Sequence, residues 1–217
     1  MIPVMIVPVL TRETLLYRMI DSIDHKVEHL IVIDNGGVVN DSDCRTNDHV
    51  QRVSVIHMPA NLGVAGSWNL GIKASPFAPW WLVANFDVVW EPRSLAAFER
   101  EGCTDALVLS HASPPWSAFS IGEHVIRAVG LFDEALHPAY FEDNDMARRI
   151  EAAGLPIRRP GIPVHHDNSS TIQVTKYRDR NDQTFQANAD YYHAKAFRGD
   201  LTEGRWSLRR RRELSWD

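Results

Sequence analysis

Glu142, Asp143 and Asp145 crowd three carboxylates into four positions, directly after the aromatic pair Tyr140-Phe141. Carboxylates this close repel one another, so a fold keeps them together when a cation, a basic partner or a proton-transfer role offsets the repulsion. A plainer reading competes, because acids are favoured in the first turn of a helix and Met146 to Gly154 reads as the helix that follows. Two further carboxylates end apolar runs: Asp34 closes His29 to Ile33, and Asp87 follows Trp80 to Ala84 after Asn85-Phe86. Asp34 precedes Asn35-Gly36-Gly37 and also suits a turn cap. Hard divalent cations take oxygen ligands, and Mn²⁺ also accepts imidazole. Asp87 with one ring of His165-His166 meets that need, although in a chain with ten histidines a packed or surface ring is the commoner case.

These residues need elements to hold them. Val4 to Val7, His29 to Asp34, Val53 to His57 and Trp80 to Ala84 are short continuous apolar runs of the kind buried on both faces of a sheet. Helical spacing occupies Thr14 to Ile23 and the segment holding Val64, Ala65, Trp68, Leu70 and Ile72. Such alternation predicts an α/β fold with a mostly parallel sheet and helices on both faces. Asp34 and Asp87 then share the carboxyl-end rim, where such sheets bind ligands. Ala106 to Leu109 and Ala118 to Ile121 read as strands around a Pro-rich loop whose Trp116 could stack on a sugar or pack, packing being slightly preferred, and helices are expected over His124 to Val129 and Gln183 to Phe197.

At 217 residues the chain suits one α/β domain, taken as residues 1–199, followed by a basic tail, 200–217, whose Arg209 to Arg212 run is most often a solvated face. A hydrophobic fraction of 44%, a charged fraction of 24% and a net charge of -5 give no pull toward nucleic acid. Cys44 and Cys103 stand in no metal or redox spacing, which points to a reducing cytoplasm. The apolar opening lacks a basic leader and a cleavage site, and no apolar run reaches the roughly 20 residues of a transmembrane segment. A cytoplasmic protein, or one peripheral at a membrane, is expected.

The order of these pieces resembles glycosyltransferase family 2, of the GT-A fold, from Val4 to about Gly199. The first strand runs into Pro8-Val9-Leu10-Thr11-Arg12, and Ile31 to Gly36 follows. Asn61-Leu62-Gly63-Val64-Ala65-Gly66-Ser67-Trp68-Asn69-Leu70-Gly71 is similar to the family's Asn, Gly, Ala, Asn, Gly pattern. Asn85-Phe86-Asp87 falls at the family's Asp-x-Asp motif, with Asn in the first place. Gly130 to Glu134 resembles its Gly-x-Phe-Asp-Glu run, and Glu142-Asp143-Asn144-Asp145 with Arg149 its Glu-Asp-x-Asp followed by Arg. Gly154-Leu155-Pro156-Ile157 and the segment from His165-His166 to Ser169-Ser170 come next in the expected order, and Asn188 to Lys195 resembles an Asn, Tyr, Lys pattern of some members, with an amphipathic packing helix at least as good a reading.

The resemblance implies a Rossmann-like GT-A sheet with a short C-terminal helical extension and an inverting, metal-dependent hexosyl- or deoxyhexosyltransferase. It assigns Pro8, Thr11, Arg12 and Asp34 to the nucleotide, Asn61, Gly63 and Asn69 to the loop and helix beside the donor, and Asn85 to the sugar or ribose. Asp87 becomes the main ligand of Mn²⁺ or Mg²⁺, His165 the preferred second ligand and His166 the fallback. Asp143 becomes the general base and Glu142 helps to position the acceptor or the base, while Asp145 and Arg149 could pair on one helix face. The donor would be a UDP, GDP or dTDP sugar, the acceptor a glycan, a lipid-linked sugar or a protein, and a homo-oligomer stays open. Two rivals remain: a sugar nucleotidyltransferase, whose glycine-rich basic phosphate loop Pro8 to Arg12 does not supply, and a non-catalytic nucleotide-sugar-binding module, favoured only by Asn85.

Overall fold

The structure, a computed structural model, describes residues 1–45, 47–167 and 175–202, without the side chains of Arg45 and residues 175–183. Ser169-Ser170 and the basic run Arg209 to Arg212 lie outside the described residues. In chain order the elements are β1 (Ile2–Val9), α1 (Glu13–Asp21), β2 (Val27–Asp34), β3 (Val50–His57), α2 (Gly63–Ala74), β4 (Trp80–Ala84), β5 (Val88–Trp90), α3 (Ser94–Glu101), β6 (Leu107–Leu109), β7 (Ala118–Gly122), α4 (Glu123–Val129), α5 (Glu142–Ala152), β8 (Ile157–Arg158), β9 (Val164–His166) and α6 (Thr175–Phe197). Two of the helices differ from their sequence expectation. α5 starts at Glu142, so the acidic cluster forms its first turn, and α6 starts eight residues before Gln183.

Seven strands form one sheet in the order β3-β2-β1-β4-β7-β6-β8. β1 runs parallel to β2 and β4, and β2 to β3, whereas β7 is antiparallel to both β4 and β6. The sheet is mostly parallel, and its strand order reverses beside β1, which opens a crevice between the carboxyl ends of β1 and β4. Strand alternation divides the core: Met5, Val7 and Val9 of β1 pack with Leu16, Met19 and Ile20 of α1 and Phe98 of α3. Val4 and Ile6 face the other way, with Trp68 and Ile72 of α2, Val125 of α4, and Met146 and Ile150 of α5. Trp116 packs edge-on to Phe119 at 4.8 Å, as expected.

The antiparallel entry of β7 has a consequence for the rim. β7 ends beside the start of β4, at the amino ends of the parallel strands, and α4 then carries the chain back, so that the segment from Gly130 to Phe141 returns to their carboxyl ends. There the Val64 amide, at the start of α2, donates to the Pro138 carbonyl at 2.7 Å. Among the described residues, no helix is long and apolar enough to cross a membrane.

Candidate active site at the carboxyl ends of the strands

Asp34 ends β2 with no exposure to solvent. Its Oδ1 accepts from the amides of Gly36 and Val38, and its Oδ2 from Val39 and from His57 Nδ1 at 2.9 Å. Burial opposes ionisation, yet the His57 bond and the three amides prevail and hold the carboxyl below its ordinary pKa. The turn-capping role is therefore filled. The rim group above it is His57, which lies opposite Asp34 in the β2–β3 register and also meets Asp41 at 2.8 Å. Asp41 first and Asp34 second raise its pKa. At the neighbouring end of β1, Pro8 is half-buried, Arg12 is exposed in the left-handed region at φ 54°, and Thr11 Oγ1 is buried with no hydrogen-bond partner among the described residues. Gly36 is required here, since a Cβ would stand 1.9 Å from the Leu10 carbonyl oxygen.

The Asn-Gly segment shapes the start of α2. Asn61 Oδ1 accepts from the Gly63 amide at 2.9 Å, and Gly63 adopts φ +74° where a Cβ would meet the Pro138 carbonyl at 2.7 Å. Asn35, which sequence reasoning left within a turn, donates to Ser67 Oγ and accepts from the Leu62 amide, tying β2 to α2. Asn69 is 1% exposed and faces the Gly130 to Glu134 segment, exchanging hydrogen bonds with the Phe132 backbone at 2.9 Å in both directions and donating to Glu134. Its contacts are thus with the segment that precedes α5.

Asp87 and His166 are brought together. β5 pairs with β9 so that Val88 faces His166 and Val89 faces His165, and alternation sends only one ring inward. His166 Nε2 lies 3.1 Å from Asp87 Oδ1, both side chains nearly buried. His165 points outward to Asp167 and is 59% exposed. The preference for His165 is not what the geometry offers, because a one-residue offset in a strand reverses the face. The Asn85 amide donates to the Ser117 carbonyl at 2.8 Å, next to this pair. His166 Nδ1 lies 3.1 Å from Ser117 Oγ and 3.2 Å from the Ser113 carbonyl. The Ser117 hydroxyl already donates to Pro114, so both oxygens accept, and Nδ1 carries the proton. Nε2 then faces a carboxylate oxygen either as a second N–H or with its lone pair, the second case being the orientation of a metal-ligating imidazole anchored through its other nitrogen. The donor set of one carboxylate and one imidazole fits Mn²⁺ better than Mg²⁺. Among the described residues, no group of three or more His, Cys, Asp or Glu is arranged to hold a metal.

The carboxylate turn is strained and partly buried. Tyr140 and Phe141 adopt φ 78° and 72°, a left-handed pair without glycine, immediately before Glu142. Glu142 is 6% exposed and its Oε2 has no partner among the described residues. Burial, and then the charge of Asp143, push its pKa up to about 8. Asp143 is half-buried, accepts from the Asn144 amide, and is raised by burial. Asp145 does pair with Arg149, at 2.8 Å and fully buried. A group from the Asn188 to Lys195 segment, for which the sequence offered both the family pattern and a packing helix, joins them: Lys195 of α6 lies 2.7 Å from Asp133 and 2.9 Å from Asp145, with no exposure. The helical spacing of Asn188, Tyr191 and Lys195 was the available signal.

Solved structures share this architecture. The chain aligns with S. aureus TarS 1–349 in complex with UDP at a TM-score of 0.57 and 14% identity, covering 75% of this chain and 59% of that one. GalNAc-T7 with UDP, GalNAc and Mn²⁺ aligns at 0.55 and 10% identity, over 76% of this chain and 43% of that one. The catalytic domain of Drosophila β1,4-galactosyltransferase 7 with xylobiose aligns at 0.54 and 13% identity, over 76% and 70%. At these identities the likeness shows the GT-A fold. No curated protein matches the chain by sequence. Residues 4–112, half of the chain, match the model for glycosyl transferase family 2, which spans both Asp34 and Asp87, and the chain belongs to that family.

Proposed function

We propose that this glycosyltransferase is an inverting, metal-dependent hexosyl- or deoxyhexosyltransferase that uses a UDP, GDP or dTDP sugar. The observation that carries the reading is the Asp87–His166 pair at the rim, with His166 anchored through Nδ1 so that Nε2 and a carboxylate oxygen lie together. Mn²⁺ or Mg²⁺ bound there would neutralise the departing diphosphate. Pro8, Thr11 and Arg12 border the nucleotide, and Asp34 supports it indirectly, by holding the Asn35 to Val39 loop and His57. Asn61 and Gly63 shape the donor-side loop, Asn85 lies toward the sugar, and Asn69 fixes the segment leading to the acceptor side.

Asp143 takes the proton from the acceptor hydroxyl while that oxygen attacks the anomeric carbon and the bond to the diphosphate breaks on the opposite face. One displacement inverts the configuration. Glu142, protonated at neutral pH, adds no second negative charge beside the base and can hold the hydroxyl by hydrogen bonding. The acceptor is a glycan, a lipid-linked sugar or a protein.

The test is nucleoside diphosphate release from a panel of UDP, GDP and dTDP sugars with Mn²⁺ and candidate acceptors. One donor should turn over, and Asp143→Asn should lower transfer by about 10²–10⁴-fold while nucleoside diphosphate binding is unchanged. Full transfer by Asp143→Asn would remove Asp143 as the base. Binding without release by the wild-type protein would favour a non-catalytic module.

A further inference from the structure

Asn188, Tyr192 and Lys195 stand four and three positions apart on α6 and so share one face. Asn188 Nδ2 donates to the Ala139 carbonyl at 2.8 Å and reaches that of His137 at 3.3 Å. The Tyr192 ring stacks on Phe141, with centroids 5.5 Å apart and planes at 23°. Lys195 Nζ bridges Asp133 and Asp145, and the Tyr191 hydroxyl donates to Asp133 at 3.0 Å. These contacts bracket Glu142 and Asp143 from both sides.

Two further observations show what the bracket does. The consecutive left-handed residues Tyr140 and Phe141 occupy a backbone state that side-chain-bearing residues avoid, and such states persist where the surroundings over-determine them. Contacts from α6 fall on that very segment. Asp133 and Asp145 are balanced by Lys195 and Arg149, all four at most 1% exposed, with Arg148 reaching Asp145 at 3.3 Å. Arg149 also donates to the Val129 and Leu131 carbonyls at 2.6 and 2.8 Å, so the cluster joins α6, α5 and the Gly130 to Glu134 run.

We propose that Lys195 is a positioning residue which, with Asn188 and Tyr192, clamps the Glu142-Asp143 turn in its strained geometry and makes α6 part of the acceptor half of the active site. The functional weight of that turn rests on the reading of Asp143 as the base; the clamp itself does not.

Lys195→Met alone removes the buried cation that Asp133 and Asp145 share and can unfold the chain. It is therefore paired with Asp133→Asn, which keeps the cluster balanced, and compared with Lys195→Arg and with Tyr192→Leu, which leaves the buried charges untouched. The readouts are amide hydrogen exchange at residues 142–145, carboxyl titration of Glu142 and Asp143 by carbon-13 NMR, and calorimetric binding of UDP with Mn²⁺. In the double variant and in Tyr192→Leu the turn amides should exchange at least tenfold faster relative to those of β1. Glu142 should titrate closer to an ordinary glutamate, and Lys195→Arg should restore part of the protection. UDP affinity should stay within threefold of wild type. Wild-type exchange and titration in the folded variants would overturn the proposal. Absence of binding of UDP, GDP and dTDP to the wild-type protein would sink the nucleotide-sugar reading instead, while exchange and titration still decide the clamp.

Discussion

Glu142 occupies a position where a charged carboxylate is costly: it is 6% exposed, its Oε2 has no partner among the described residues, and it lies beside Asp143. The native state keeps its proton up to about pH 8, whereas a glutamate of ordinary pKa 4.5 in the unfolded chain releases it far earlier. Between those values the native state binds more protons, so its stability falls as pH rises, and the contribution is lost above the folded pKa. Asp143, also raised, acts with the same sign. Glu142→Gln should remove most of this slope. Urea unfolding between pH 5 and 9 is expected to show the wild type weakening while the variant holds, with the gap reaching on the order of 3 kcal/mol. Parallel curves would mean that Glu142 is ionised throughout. The sequence displayed the crowding of acids, but burial and orphaned atoms come from neighbours far along the chain.

At the scale of elements, the register of β9 against β5 separates two histidines that are indistinguishable in sequence. His166 faces Asp87, and His165 faces solvent. His166→Ala is expected to weaken Mn²⁺-dependent nucleoside diphosphate binding by about 10–100-fold, and His165→Ala to leave it within twofold, as calorimetry with and without Mn²⁺ would read. The opposite ranking would restore His165 to the site. Strand existence was legible, because runs such as His29 to Ile33 and Trp80 to Ala84 are too apolar for any exposed state. The two-stranded β5–β9 ribbon was not, since a strand of three residues carries too little periodicity to reveal its partner or its inward face.

Across the whole molecule, the chain is assembled so that its latter part completes a rim begun by the earlier part. β2 and β3 provide Asp34 and His57, the turn after β4 provides Asp87, the return of the chain after β7 brings Gly130 to Asp145 alongside, and α6 closes on it through Lys195. We propose on this basis that residues 1–199 form one cooperative unit, because Asp133 and Asp145 are buried jointly with a lysine from α6. Native-state hydrogen exchange should give the slowest amides of residues 188–197 opening free energies equal to those of β1 and β2 within about 1 kcal/mol. Much faster, separate opening of α6 would divide the unit.

The sequence by itself determined the α/β alternation and the placement of Asp34 and Asp87 on one rim, because each depends on local periodicity and on which strand end a residue follows. It also supported the family, through the order of motifs from Pro8 to Arg149. Only the tertiary structure decided that His166 and not His165 meets Asp87, that Asn69 serves the Phe132 segment, that Asp34 is consumed by amides and His57, and that Lys195 joins the acidic helix. Those outcomes depend on register, burial and charge pairing between residues up to 79 positions apart, which no local pattern encodes.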